Sequence, residues 1–257
     1  YEIPLRLVGS EMCIRDRVWT SYWLPDTTLI MNENSLDEWS GVDLAARRGE
    51  KLVFSDLRFS LSAGDSLLLT GQNGSGKSTL LRLMAGLGQP SSGGLFWNSQ
   101  NIRHDLITHF ERLNYVGHLT GVKLVLNVEE DLSFWMTLHN DYDSEVIDYA
   151  LDHFALLKQK DIPIRFLSSG QKRKLALARL LVRPSRIWLL DEPTIGLDQS
   201  GIYSLEKIIQ DHRAKDGVVI VASHVKIELG DGYKKLDLSC FKPITSIVSM
   251  DEYDQGK

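Results

Sequence analysis

Cysteine is the scarcest chemistry in this chain, with two among 257 residues. Cys13 lies in a segment set aside below, and Cys240 alone cannot close an internal disulfide, which fits a reducing compartment. Long hydrophobic runs are missing too. The longest, such as Gly217 to Ala222, are strand-sized and far short of the roughly 18–20 residues that span a bilayer. Any membrane role must therefore run through a partner. Positive charge is not in excess: 29 Lys and Arg stand against 34 Asp and Glu, a formal net charge of −5. A mildly acidic domain binds polyanions poorly, which argues against nucleic acid as a partner. Internal repeats and low-complexity linkers are absent. The remainder, 43% hydrophobic and 25% charged, is ordinary globular material, enough for one large domain or two small ones.

The first residues do not enter the fold argument. Leu7 to Arg17 reads Leu-Val-Gly-Ser-Glu-Met-Cys-Ile-Arg-Asp-Arg, which resembles the translation of a transposase-based sequencing adapter, and Tyr1-Glu2-Ile3 matches the stem in front of it. Val18 to Ile30 has neither helical nor alternating pattern. Residues 1–30 are expected to be a tail that packs on nothing, with Trp19 and Trp23 outside the core. Met31 is the expected start, residues 31–240 the expected domain, and 241–257 a C-terminal tail.

Strand, loop and helix then alternate, which argues for an α/β core. Leu52 to Leu61 reads as short strands broken by Asp56. Ser66 to Thr70 is a continuous apolar run ending at glycine, as a buried parallel strand would be. Leu80 to Leu87 carries helical spacing and stops at Gly88-Gln89-Pro90. Gly94 to Trp97 and Leu113 to Gly117 read as strands. Asn127 with Glu130 signals a capping box, after which Leu132, Trp135, Met136 and His139 share a helical face. Ser144 to Leu157 and Ser169 to Leu181 are two further helices. Ile187 to Leu190 and Val218 to Val221 are buried strands flanking a helix over Gln199 to His212. The helices of about residues 123–180 form an expected inserted α-helical subdomain.

Chemistry concentrates in a fixed order of motifs. Gly71-Gln72-Asn73-Gly74-Ser75-Gly76-Lys77-Ser78-Thr79 follows a strand and opens a helix. Its glycines let consecutive N–H groups curl towards phosphate oxygens, and the helix terminus adds its dipole. Lys77 reaches the outer phosphates, and the Ser78 hydroxyl ligates Mg²⁺. Asp191 ends an apolar strand at the sheet edge, where open α/β sheets place ligands, and should hold Mg²⁺ through water. Glu192, next in line, should polarise an attacking water as general base. Leu167-Ser168-Ser169-Gly170-Gln171 opens a helix, and its small residues let N–H groups and the Ser168 hydroxyl approach a γ-phosphate closely. Lys172, Arg173 and Lys174 follow as a basic run.

This combination resembles the ATP-binding cassette ATPases over roughly residues 40–230. The resemblance implies an ABC-type P-loop NTPase fold with ATP and Mg²⁺ bound. Two copies would close face to face, the cradle of one opposing Ser168, Gly170 and Gln171 of the other. It makes Asp198 of Gly196-Leu197-Asp198 the residue that speaks across the interface. His224 becomes the switch histidine on the γ-phosphate. Two departures stand out. The family usually has glutamine after Tyr115-Val116-Gly117, on the metal and the water, where this chain has His118. The family also usually stacks an aromatic residue on adenine, where this chain has Ala46-Arg47-Arg48-Gly49. Arg48 can stack there by cation–π contact, with looser base selection as a result.

Several segments are similar to the CcmA-type ATPases of cytochrome c maturation, classed as haem exporters. They are Tyr115-Val116-Gly117-His118 leading into Gly121-Val122-Lys123, then Leu126 to Trp135, Asp161-Ile162-Pro163, and Lys172 to Leu180. That resemblance implies a peripheral ATPase on the cytoplasmic face of the bacterial inner membrane, or on the mitochondrial matrix side. It would pair with integral membrane subunits of cytochrome c maturation and drive release of haem from its chaperone. Leu119 to Leu124 and the following helix would dock the membrane partner. The chain has no Cys-Pro or Cys-x-x-Cys-His motif, so direct haem binding is not expected. The alternatives are the ATPase subunit of another transporter and a soluble cassette protein without a membrane partner.

Overall fold

The computed structural model describes residues 38–138 and 142–241. The expectations for residues 1–30, for Met31, for Trp19 and Trp23, for His139 and for the tail after Phe241 lie outside them. Two sheets share the fold. The antiparallel one orders β2 (Lys51–Ser62), β1 (Glu38–Arg48), β4 (Ser92–Trp97) and β5 (Gln100–Asn101). The parallel one is five-stranded and runs β6 (Leu113–Val116), β7 (Ile187–Asp191), β8 (Val218–Ala222), β3 (Ser66–Thr70) and β9 (Lys234–Asp237).

The apolar runs of β7 and β8 are continuous because both faces of the parallel sheet are covered. Ile187, Leu189, Val218 and Ile220 point to one core, shared with helix α1 (Lys77–Met84) and with Trp39, Phe54 and Leu61 of the antiparallel sheet. Trp188, Leu190, Val219 and Val221 point to the other. That second core is closed by α3 (Val128–Thr137), α4 (Ser144–His153), α5 (Ser169–Val182) and α6 (Gln199–Arg213). A short helix α2 (Leu106–Glu111) precedes β6. Helices α3, α4 and α5 lie between β6 and β7 in sequence. Asp131 of α3 is fully buried and accepts both Arg179 Nε (2.9 Å) and Nη2 (2.8 Å) from α5. The Asn127–Glu130 capping box is present in full.

Several boundaries differ from the sequence reading. Asp56 does not break the strand. Leu44 pairs with Leu57 and Ala46 with Phe54, so β2 absorbs an extra residue as a bulge, with Asp56 in the left-handed region at φ 57°. Helix α1 begins at Lys77, directly on the cradle, and stops before Gly86 at φ 72° rather than at Gly88. Helix α4 ends at His153, because Ala155 turns left-handed at φ 54°. Strands β1 and β9 and helix α2 were not anticipated.

The order of the parallel sheet positions the chemistry. Strands β6, β7, β8 and β3 are consecutive neighbours, and all point the same way. Their carboxyl ends therefore deliver His118, Asp191 with Glu192, His224 and the cradle to a single edge.

Candidate active site

A pocket of about 410 Å³ opens at that edge. It is lined by Asn73, Gly74, Gly76, Lys77, Ser78 and Thr79 of the cradle, by His118, Glu192 and His224, and by Arg48, Val53 and Ile195. The cradle needs its glycines. Gly76 is left-handed at φ 105°, and a Cβ there would sit 2.6 Å from Val53 Cγ1. Gly71 is at φ 132°, and a Cβ there would lie 2.7 Å from Ser75 Oγ. Lys77 caps the loop from inside, donating Nζ to the Gly71 carbonyl at 2.8 Å.

Ser78 Oγ donates to Asp191 Oδ1 at 3.1 Å, joining the helix start to the end of β7. Burial pushes the Asp191 carboxyl above its ordinary value, and the Ser78 hydrogen bond opposes that shift. A hydroxyl and a buried carboxylate side by side form a hard-oxygen donor set that a small divalent cation would satisfy, so Mg²⁺ fits these residues. Ser75 Oγ is buried with no hydrogen-bond partner, a spare donor within the phosphate loop.

Glu192 lies on the opposite wall. It is a non-glycine residue at φ 49°, and its N–H donates to Ala222 O at 2.8 Å. His224 Nδ1 meets Glu192 Oε2 at 2.8 Å. The imidazole thus orients the carboxylate and keeps Nε2 for a second partner. Glu192 is shielded and His224 is more open, with side-chain exposures of 12% and 53%.

The remaining expected residues are placed elsewhere in the chain. Ser168, Gly170, Gln171 and Asp198 do not line the pocket. Ser168 and Gln171 cap α5 reciprocally: Gln171 N–H donates to Ser168 Oγ at 3.2 Å and Ser168 N–H to Gln171 Oε1 at 2.9 Å. Gly170 packs on the Gly196 carbonyl, which a Cβ would approach to 2.6 Å. Asp198 caps α6 at Gly201 N–H (3.0 Å) and pairs with Lys174 Nζ (2.8 Å). Those hydrogen bonds, Lys174 first, lower its carboxyl to about 2.

One residue escaped the sequence reading. Arg173, the middle of the basic run, is buried, and its guanidinium bonds main-chain carbonyls around Asp191 and Glu192. The signal was helical period: Arg173 precedes Leu177 by four residues and Leu180 by seven, on the face that enters the core.

Residues 54–195 match the family model described as ABC transporter. The chain is 46% identical over 206 residues to the cytochrome c biogenesis ATP-binding export protein CcmA of Paramagnetospirillum magneticum, covering 79% of this chain and 94% of that protein. It is 46% identical over 205 residues to the protein of the same name from Rhodospirillum rubrum, covering 80% and 87%. Among solved structures, an ABC transporter ATP-binding protein from Pyrococcus furiosus superposes with a TM-score of 0.70 at 23% identity, over 80% of this chain and all (100%) of that one. An ATP-binding subunit of another ABC transporter gives a TM-score of 0.68 at 23% identity, over 74% and 80%. At that identity the two structures speak for the fold alone.

Proposed function

This chain belongs to the ABC transporter family, and on that premise we propose that it is the ATP-hydrolysing subunit of the export complex of cytochrome c biogenesis. The observation that carries the catalytic part is the single pocket that gathers the cradle, Ser78 with Asp191 hydrogen-bonded behind it, and the Glu192–His224 pair while leaving the Ser168–Gln171 segment outside. A site complete except for its γ-phosphate cover calls for a second copy to supply that cover.

The residues divide the work accordingly. Cradle N–H groups and Lys77 bind and orient the triphosphate of ATP. Ser78 and Asp191 would hold Mg²⁺, which when bound neutralises phosphate charge. Glu192 accepts a proton from the attacking water at its carboxylate, and His224 holds that carboxylate in place through Nδ1, with Nε2 left for the γ-phosphate. His118 reaches the same pocket from β6. In the closed pair, Ser168, Gly170 and Gln171 of the partner subunit would exclude water and complete the donor set, with Asp198 at the interface.

A second surface supports a membrane partner. A groove of about 400 Å³ runs between the ends of α1, α2 and β6 and the faces of α3 and α5. Its apolar walls include Phe110, Leu119 and Trp135, and Leu119 is 84% exposed. No helix among the described residues is long and apolar enough to cross a membrane. We assign the groove to a cytoplasmic segment of an integral membrane subunit, which would hold the chain peripherally on the inner face. The cargo is haem leaving its chaperone, without direct haem contact by this chain.

Glu192→Gln tests the engine. The variant should bind ATP, accumulate as a pair on sizing with ATP, and turn over at least roughly 100-fold more slowly, since one positioned base is worth about that much. Normal steady-state hydrolysis would remove Glu192 from its role. Co-purification with a haem-handling membrane subunit tests the cargo, and recovery with a different class of transporter would reassign it.

A further inference from the structure

Arg173 is 4% exposed, although it stands between two lysines on α5. Its Nη1 donates to Gly117 O at 2.8 Å, its Nη2 to Asp191 O and Glu192 O at 2.8 Å each, and its Nε to Pro193 O at 3.2 Å. One planar group thus bridges two separate segments at the catalytic edge: the residue preceding His118 and the turn carrying Glu192. Every bond goes to main chain, so the guanidinium fixes where these backbones lie whatever their side chains do. Burial pushes the guanidinium below its ordinary value, and the carboxylates of Asp191 and Glu192 hold it up. The same helix begins at Ser168 and Gly170, about one turn earlier. Its first turns are also anchored to the next loop, through Gly170 against Gly196 and Lys174 on Asp198.

We infer that Arg173 is a positioning residue that couples the two ATP sites of the closed pair, by tying the helix that covers the partner's nucleotide to the main chain that carries its own Glu192 and His118. The inference rests on the paired-site reading above. When Ser168 and Gly170 engage a γ-phosphate across the interface, α5 moves as one rod and Arg173 draws the catalytic turn with it. Glu192 sits in the left-handed region, where a non-glycine residue persists only if its surroundings hold it. Arg173 and the Ala222 carbonyl supply that hold. Lysine cannot substitute: an ammonium offers three donors around a point, not a fork that spans two segments.

The test is Arg173→Lys and Arg173→Gln in the full chain, read by ATP binding, steady-state kinetics and nucleotide-driven pairing. ATP affinity and KM should stay within about threefold, because the cradle is untouched, while kcat falls roughly 100-fold from a misplaced base. The Hill coefficient for ATP should drop from about 2 towards 1 as the sites uncouple. The double variant Arg173→Lys/Glu192→Gln should still pair with ATP as Glu192→Gln does. Wild-type kcat and cooperativity in a folded Arg173→Lys protein would overturn the inference. So would ATP affinity falling in step with kcat, which would make Arg173 a scaffold for the whole site. Should Arg173→Gln not fold, Arg173→Lys, which keeps the buried charge, decides alone. If Glu192→Gln itself fails to pair with ATP, it is the paired-site reading that falls.

Discussion

Arg48 shows how one side chain can set what the pocket accepts. It is exposed at the end of β1, lines the pocket together with Val53, and its side chain makes no hydrogen bond or ion pair among the described residues. A guanidinium over a purine face attracts any base by its π system and reads no base edge, a contribution of about 0.5–2 kcal/mol. Turnover of ATP and GTP should therefore be similar. Arg48→Ala should raise KM for both by roughly fivefold, in line with about 1 kcal/mol of lost stacking. Arg48→Tyr should restore the loss. Parallel Michaelis curves for the two nucleotides would check this, and an Arg48→Ala protein with unchanged KM would dismiss the platform.

The residues that meet at the pocket were legible at this scale because the geometry there restricts residue type. Only glycine tolerates the backbone of Gly71 and Gly76 against Ser75 and Val53, and only a short strand end brings Asp191 to Ser78. Arg173 was not legible, because a basic run normally marks a solvated face. Only the tertiary fold shows that the middle cation turns inward to carbonyl groups.

Among elements, legibility followed side-chain burial. Strands β7 and β8, buried on both faces, announce themselves as apolar runs. Strand β9 pairs with β3 and offers the core only Leu236, while its Lys234, Lys235 and Asp237 are exposed, so its sequence carries no strand pattern. Strand β1 is interrupted by Gly41 and by Asp43 at φ 51°, where its register with β2 shifts. The packing of α6 on β7 also carries a pH dependence. His212 of α6 is 3% exposed and stacks on Trp188, with ring centroids 3.9 Å apart and planes 6° off parallel. Gly217 leaves the room for that ring, since a Cβ there would overlap the imidazole.

Burial lowers His212 from 6.5 to about 4, with a backbone bond to Arg186 opposing. Burial shifts His109 the same way. A histidine that takes its proton near pH 6.5 unfolded, and only near 4 folded, gives the unfolded state more bound protons between those values. Stability is then full above pH 6.5 and falls as pH drops towards 4, by up to about 3 kcal/mol for His212. Urea midpoints at pH 7 and pH 5 should differ, and His212→Phe, which keeps the stack, should shrink that difference. An identical pH response in the variant would shift the acid sensitivity to other groups.

For the whole molecule, the question is whether one chain can be a machine. Its cradle and its Ser168–Gln171 segment do not meet in one pocket, so a chain lacking either should be rescued by a chain lacking the other. Lys77→Ala removes the cradle's charge and should lower turnover roughly 10²–10³-fold alone. Ser168→Arg removes the cover and should also be inactive alone, with ATP affinity retained. In a mixture of the two, a heterodimer holds one site with both lesions and one with neither. Random pairing makes about half the dimers mixed, with one of two sites intact, so activity should return to about a quarter of wild type if each site fires independently. Coupling through Arg173 would lower that figure without abolishing it. A chain that completed its own site would give no rescue at any ratio, because each partner would carry its lesion with it.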